Sequence, residues 1–287
     1  MKSLIALLLF ALPLFAQPKP IEVTVQRVND RRAKGFFSEL AISLELPKVR
    51  SSEISASRVL VSTAVDDQGN DLVDPQKAPT ELEPNFRGSM MRESGEDPPA
   101  TISVALKNPA RSATTVTDVR GEIELYMPGR DPNSIAEITK FAPATGKPLT
   151  HKALKANGVE ITLLTPAQIE TEKKRLTVEK RKSLKAKGWD DGENLESYLN
   201  DFESSLSFDP ESDTPARIKD PNKRIQSMTY IDGTGEEKRA NPRDNYGMTV
   251  LTSWGGPPKA DWKLKIEMKT AKNVVRHTFA LKDVKLP

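Results

Sequence analysis

The chain has 287 residues, with 43 Lys and Arg against 40 Asp and Glu, and it contains no cysteine and only 2 histidines. A net charge of +3 on that length gives no overall field for nucleic acid. The absence of cysteine excludes thiol nucleophiles, thiolate metal sites and disulfides, and the length corresponds to about two domains.

The N-terminus sets the expected compartment. Lys2 precedes an apolar run from Leu4 to Phe15, and Ala16 offers a small residue before Gln17. A membrane span needs about 20 apolar residues, so residues 1–16 read as a removed signal peptide. The mature chain is expected to be exported, periplasmic or extracellular, and not membrane-spanning.

Aromatic residues make up only 6%, proline and glycine number 22 and 15, and the apolar residues come in short alternating runs. That pattern predicts short strands joined by turns. A first domain is predicted over 20–142. It includes a strand from Ser57 to Val65, β-formers running into Asp66-Asp67-Gln68-Gly69. Asp folds onto its own backbone in such a turn, and Gly supplies a positive φ. Asp66, Asp67, Asn70, Asp71 and Asp74 crowd this turn, but their spacing is not that of a calcium loop, and turn chemistry accounts for Asp66 and Gly69 without a metal. Residues 76–99 form a long loop dominated by charge and proline, a composition that favours disorder over a binding element. A strand from Gly121 to Met127 and a last strand around Ile135 to Phe141 complete the domain.

A second domain is predicted over 143–287, with a helical segment at 165–222. Thr165-Pro166-Ala167-Gln168 combines an N-cap, a proline at the first helical position and a glutamine that reaches back. The helix carries Ile169, Leu176 and Leu184 on a narrow stripe and ends at Gly188. A second helix after Asp190 or Asp191 places Leu195, Tyr198, Leu199, Phe202 and Leu206 on one face. The first helix is basic near its end and the second is acidic, which favours antiparallel pairing into a hairpin.

The second half then repeats the first in order. Lys223 to Gly235 lies over Ser57 to Gly69 without a gap, matching Arg, two β-branched residues, Asp and Gly. Val159 to Pro166 resembles Leu40 to Pro47 upstream. Downstream, Trp262, Leu264, Ile266 and Met268 alternate with charged residues and lie over Gly121 to Met127. A last strand around Val274 to Leu281 follows, as Ile135 to Phe141 follows in the first copy. Two copies of one unit, each with about seven short strands, resemble immunoglobulin-like or fibronectin-type-III-like sandwiches. The resemblance implies a mainly β fold of two such sandwiches, the second carrying a helical hairpin, although the Cys-Trp-Cys core of true immunoglobulin domains is missing.

Little in the chain suggests catalysis. With His151 and His277 alone, and no G-x-S-x-G elbow, nucleophilic catalysis has no base to rely on, and no metal or cofactor site is expected. The expected role is a non-catalytic binding or structural module that contacts a protein or envelope component. The candidate partner surface is Leu195, Tyr198, Leu199, Phe202, Leu206 and Trp254, the last at one end of a Gly-Pro loop leading to Trp262. A glycan stacked on Trp254 is the alternative, and nucleic acid is not expected.

Overall fold

A computed structural model describes residues 18–32, 38–84, 97–141, 146–190, 192–246, 248–253, 256 and 258–287. The apolar N-terminal segment 1–16, residues 85–96 of the long loop, and Trp254 lie outside the described residues. The chain is mainly β, 46% strand and 20% helical, and its strands form several sheets.

In chain order the strands are β1 (Lys19–Pro20), β2 (Thr24–Arg31), β3 (Glu39–Arg50), β4 (Ala56–Asp66), β5 (Glu83–Pro84), β6 (Pro99–Leu106) and β7 (Thr115–Tyr126). They continue as β8 (Ile135–Thr139), β9 (Glu160–Leu163), β10 (Asp213–Lys219), β11 (Ile225–Ile231), β12 (Glu237–Asn245), β13 (Met248–Ser253), β14 (Lys263–Met268) and β15 (Val274–Lys285). Helix α1 (Lys152–Asn157) precedes β9, while α2 (Pro166–Ala186) and α3 (Glu193–Ser205) run between β9 and β10.

The chain divides into two compact units. One contains the residues up to Leu125 together with Arg276–Pro287, and the other is Tyr126–Val275. The first unit has a sheet of order β1-β15-β7-β4-β5 and a second of order β2-β3-β6. Strict alternation makes β3 a half-buried strand: Leu40, Ile42, Leu44 and Leu46 are fully buried, whereas Ala41, Ser43 and Glu45 reach solvent. On β6, which pairs antiparallel with β3, Ala100, Ile102, Val104 and Leu106 are buried in the same way. Val119, Ile123 and Leu125 of β7 and Phe279 and Leu281 of β15 add to the buried apolar side chains of the other sheet. Each such side chain contributes about 1.5–3 kcal/mol when fully buried.

The second unit is one seven-stranded sheet of order β8-β14-β11-β12-β13-β10-β9. Its long strand β12 changes partner part-way. Glu237 to Arg239 pair with β11, and Ala240 to Asn245 pair with β13, so the sheet passes from one half to the other at buried Ala240. A single core collects side chains from both halves, including Ile138, Ile161, Leu163, Met228, Tyr230, Leu251, Trp262, Leu264, Ile266 and Met268. The alternation read from Trp262 to Met268 therefore marks a buried face. Helix α1 adds Ala153 and Leu154 to the same core and ends at Gly158, whose φ of 65° suits a residue without Cβ.

The two Asp-Gly turns are built alike. Oδ1 of Asp66 accepts the amides of Gln68 (3.0 Å) and Asn70 (2.8 Å), and Oδ1 of Asp232 accepts those of Thr234 (2.9 Å) and Glu236 (3.0 Å). Gly69 and Gly235, with φ of 83° and 91°, donate back to the carbonyls of Asp66 and Asp232. The strands entering these turns, β4 and β11, neighbour β7 and β14 respectively, the strands aligned by sequence.

Three expectations need correction. The boundary placed between residues 142 and 143 falls instead at Leu125 and Tyr126, and the C-terminal segment belongs to the first unit. The reason is strand exchange: β8 follows β7 in the chain yet pairs with β14 of the second unit, while β15 follows β14 yet lies beside β7 of the first. The range 165–222 is not wholly helical, because it contains β10, which pairs antiparallel with both β9 and β13. The upstream sequence match also misleads. β3 sits between two strands of its sheet, whereas β9 is at the end of its own, and the strand flanked on both sides there is β10.

Candidate functional site

The segment between β9 and β10 positions the site. Thr165 caps α2 as a reciprocal box: its Oγ1 accepts the Gln168 amide at 3.3 Å, and Gln168 Oε1 accepts the Thr165 amide at 3.0 Å. Gln168 Nε2 also donates to the Gly146 carbonyl at 3.0 Å, which ties the helix start to the preceding connection. Helix α3 begins at Glu193, after Asp190 and Asp191 as expected, with Gly192 as its cap and no side-chain cap hydrogen bond.

The two helices pair as their charges suggest. Arg181 makes a two-pronged bridge to Glu196, one prong at 2.8 Å. Glu172, nearly buried on α2, accepts from Arg175 at 2.6 Å and from Arg217 of β10 at 3.2 Å. The Arg175 guanidinium holds the Glu172 carboxyl below its ordinary pKa, with Arg217 adding to the effect.

The apolar face of α3 is covered by its own chain. Phe202 and Leu206 pack with Leu164, Ile169, Leu176 and Met248, while Leu195 and Leu199 pack with Leu184. Leu195, Leu199, Phe202 and Leu206 are therefore buried and offer nothing to a partner, which corrects the surface expected from sequence. Of the five helical candidates, Tyr198 is the exposed one, at 39%.

Tyr198 has a companion that the sequence reading missed. Trp189, 40% exposed, lies with its ring centroid 5.5 Å from that of Tyr198 at an interplanar angle of 55°. The two rings line an open depression at the turn between α2 and α3, with Asp190, Glu193, Asn194 and Asp201 around it. Lys180 stands over the Tyr198 ring at 5.5 Å and over Phe202 at 5.4 Å, within reach of cation–π attraction to both. A third exposed aromatic, Tyr246, sets its ring against the Phe202 ring at 5.4 Å, edge to face. Trp189 was detectable in principle, because it follows the helix-ending Gly188 among polar residues with no alternating neighbours to bury it.

The other sequence candidates have structural duties. Trp262 is buried in the core of the second unit, with Lys238 over its ring at 5.7 Å. In the acidic turn, Asp67 accepts from the Thr114 amide and hydroxyl at 2.9 and 2.7 Å, Asp71 from the Val73 amide at 3.0 Å, and Asp74 from the Gln76 amide at 3.1 Å. Asp71 and Asp74 thus serve amides of their own loop and Asp67 ties that loop to Thr114 before β7, and among the described residues no group of three metal-ligating side chains is assembled. His151 caps α1, its Nδ1 accepting the Ala153 amide at 3.1 Å, and His277 lies 3.2 Å from the Lys19 carbonyl.

No family model matches the chain, and no curated protein and no solved structure matches it either. Among the described residues, no helix is long and apolar enough to cross a membrane.

Proposed function

We propose that this chain is an exported, non-catalytic binding or structural module that contacts a protein or envelope component through the Trp189–Tyr198 platform. One observation carries the reading. The helices bury Leu195, Leu199, Phe202 and Leu206 against their own chain, yet leave two large aromatic rings side by side in an open depression. Ring pairs of this kind provide large, rigid contact area at small entropic cost, which is why Trp and Tyr dominate binding hot spots. Export rests on the N-terminal pattern of Lys2, Leu4 to Phe15 and Ala16.

The two units are proposed to be immunoglobulin-like or fibronectin-type-III-like sandwiches, the second with a helical hairpin added between β9 and β10. The path of the first unit supports this reading. β3 lies in one sheet and β4 in the other, and β6 and β7 repeat the crossing, as in a Greek key. The matched turns at Asp66 and Asp232 support descent from one duplicated unit.

A glycan is the second reading, because polar side chains around two adjacent exposed rings suit sugar hydroxyls while a ring face takes the apolar sugar face. The test is a pull-down from the envelope fraction with the tagged mature chain, alongside a Trp189→Ala/Tyr198→Ala double variant and a glycan array. The protein reading expects a partner lost with the double variant and no glycan signal. A partner profile identical for both chains would remove the platform from the argument.

A further inference from the structure

The first unit takes one of its strands from beyond the second unit in the chain. The first unit is discontinuous, and the segment that returns to it supplies β15, which lies between β1 and β7 rather than at an edge. That strand brings Phe279, Leu281 and Val284 into buried positions, and it is tied down by Arg276 to Glu124 at 2.8 Å, Lys282 to Asp118 at 3.0 Å, and the Leu286 amide to the Thr114 carbonyl at 2.9 Å. These three ties advance in opposite directions along the two strands, so β15 and β7 run antiparallel. Antiparallel neighbours are ordinarily joined by a short hairpin, whereas here the whole stretch Tyr126–Val275 stands in its place.

The second unit, by contrast, is continuous and holds its own ends together. The Met127 amide donates to the Asn273 carbonyl at 2.8 Å, close to both ends of the unit. Asn273, fully buried, donates from Nδ2 to the Met268 carbonyl at 2.9 Å and accepts the Thr270 amide at 2.7 Å. Thr270 Oγ1 donates to Asp131 at 2.8 Å, and the buried Ser134 hydroxyl donates to the Asp131 carbonyl at 2.6 Å. Every donor and acceptor in this knot belongs to the second unit.

We infer that the second unit is a conformational clamp for the first: only when Tyr126–Val275 is folded, with Asp131, Thr270 and Asn273 locking its ends, is β15 presented to β7. The dependence runs one way. With the second unit unfolded, β15 hangs at the end of a long flexible loop. Closing a loop of that length instead of a four-residue hairpin weakens docking by on the order of a hundredfold. Loss of the first unit removes nothing from the hydrogen-bonded knot or the core of the second.

Hydrogen exchange on the full mature chain tests the direction. Leu264→Ala opens a cavity in the second unit and is expected to speed exchange there by roughly a hundredfold. The clamp requires that the amides of Phe279 to Leu281 and Val119 to Ile123 speed up with it. Ile42→Ala, at a fully buried position of β3, is expected to loosen the first unit and leave the second protected. Unchanged protection of β15 in Leu264→Ala, or equal loosening of both units in Ile42→Ala, would overturn the clamp. Should Leu264→Ala not fold, a urea series on the unaltered chain decides the matter. The clamp requires β15 to lose protection no later than the second unit, and β15 amides that outlast it refute the inference.

Discussion

Arg276 Nε meets Glu124 at 2.8 Å, and Arg58 meets the same carboxylate from the other side at 2.5 Å. The three residues stand on β15, β7 and β4, adjacent strands of one sheet, and the Glu124 side chain is only 4% exposed. A buried carboxylate left without its partner is costly, whereas a bridge to an exposed arginine is worth little. Arg58 is 22% exposed and also donates to the Thr80 carbonyl at 2.9 Å, whereas Arg276 is 60% exposed. Arg58→Met is therefore expected to cost about 3 kcal/mol, and Arg276→Met less than about 1 kcal/mol. Urea denaturation of the two variants checks the ranking, and equal losses would mean that Glu124 does not depend on Arg58.

Gly121 allows a close backbone approach in the same sheet. A Cβ there would collide with the Leu60 carbonyl oxygen of the neighbouring strand and lie 2.9 Å from Phe279 Cε1. Backbone cannot swing aside as a flexible side chain can, so Gly121→Ala should cost about 3 kcal/mol or more, at the upper end of overpacking penalties. Gly129→Ala is the control, because nothing lies within 4 Å of its would-be Cβ. Thermal melts should show a large fall in Tm for the first variant and almost none for the second.

The contrast between these local features and the chain path explains what a sequence can disclose here. The capping box at Thr165 and Gln168, the Asp66 and Asp232 turns, and the buried face from Trp262 to Met268 are set by neighbours within a few residues, and each was legible. Strand β10 was not, because Asp213, Pro215, Arg217 and Lys219 break the β-former signal, and its place between β9 and β13 comes from pairing alone. The exchange of β8 and β15 was equally hidden, since alternation says which side of a strand is buried but not which strand lies beside it. Periodicity found the apolar face of α3, but it could not tell a face covered by α2 and Met248 from one left for a partner. The exposed Trp189 lies in a turn, where no period applies.

Tyr230 carries an unsatisfied group in the core of the second unit. Its ring stacks on Phe141 at 5.6 Å and tilts against Trp262 at 6.0 Å, and its hydroxyl is buried without a hydrogen-bond partner among the described residues. Burial pushes its pKa up to about 12, and the nearby Thr214 side chain only moderates the shift. Removing an unpaired buried hydroxyl while keeping the ring relieves its desolvation cost, so Tyr230→Phe is expected to stabilise the chain by about 1 kcal/mol. A urea midpoint that rises with unchanged slope is the expected result, and a clear fall would mean that the hydroxyl is paired in solution.

The matched aspartates give a pH dependence with a definite sign. The Thr234 hydroxyl, helped by the Glu236 and Thr234 amides and by Lys238, holds Asp232 at about 2, below its ordinary 3.8. Burial pushes Asp66 up, but the Asn70 side chain and the amides of Asn70, Ala110 and Gln68 outweigh it and leave the carboxyl below its usual range. Both folded values lie under the unfolded ones, so the folded state binds these protons less readily than the unfolded state does. Their contribution is complete above about pH 4 and is lost as pH falls toward 2. Carboxyl-detected NMR should place the Asp232 midpoint near 2 in the full chain and move it toward the ordinary value in Thr234→Ala. Asp66→Ala should lower stability at neutral pH by about 1–2 kcal/mol and flatten the acid limb of the stability curve. An acid limb as steep as that of the unaltered chain would show that other carboxylates drive acid unfolding, and that the turn at Asp66 holds its shape through its backbone bonds alone.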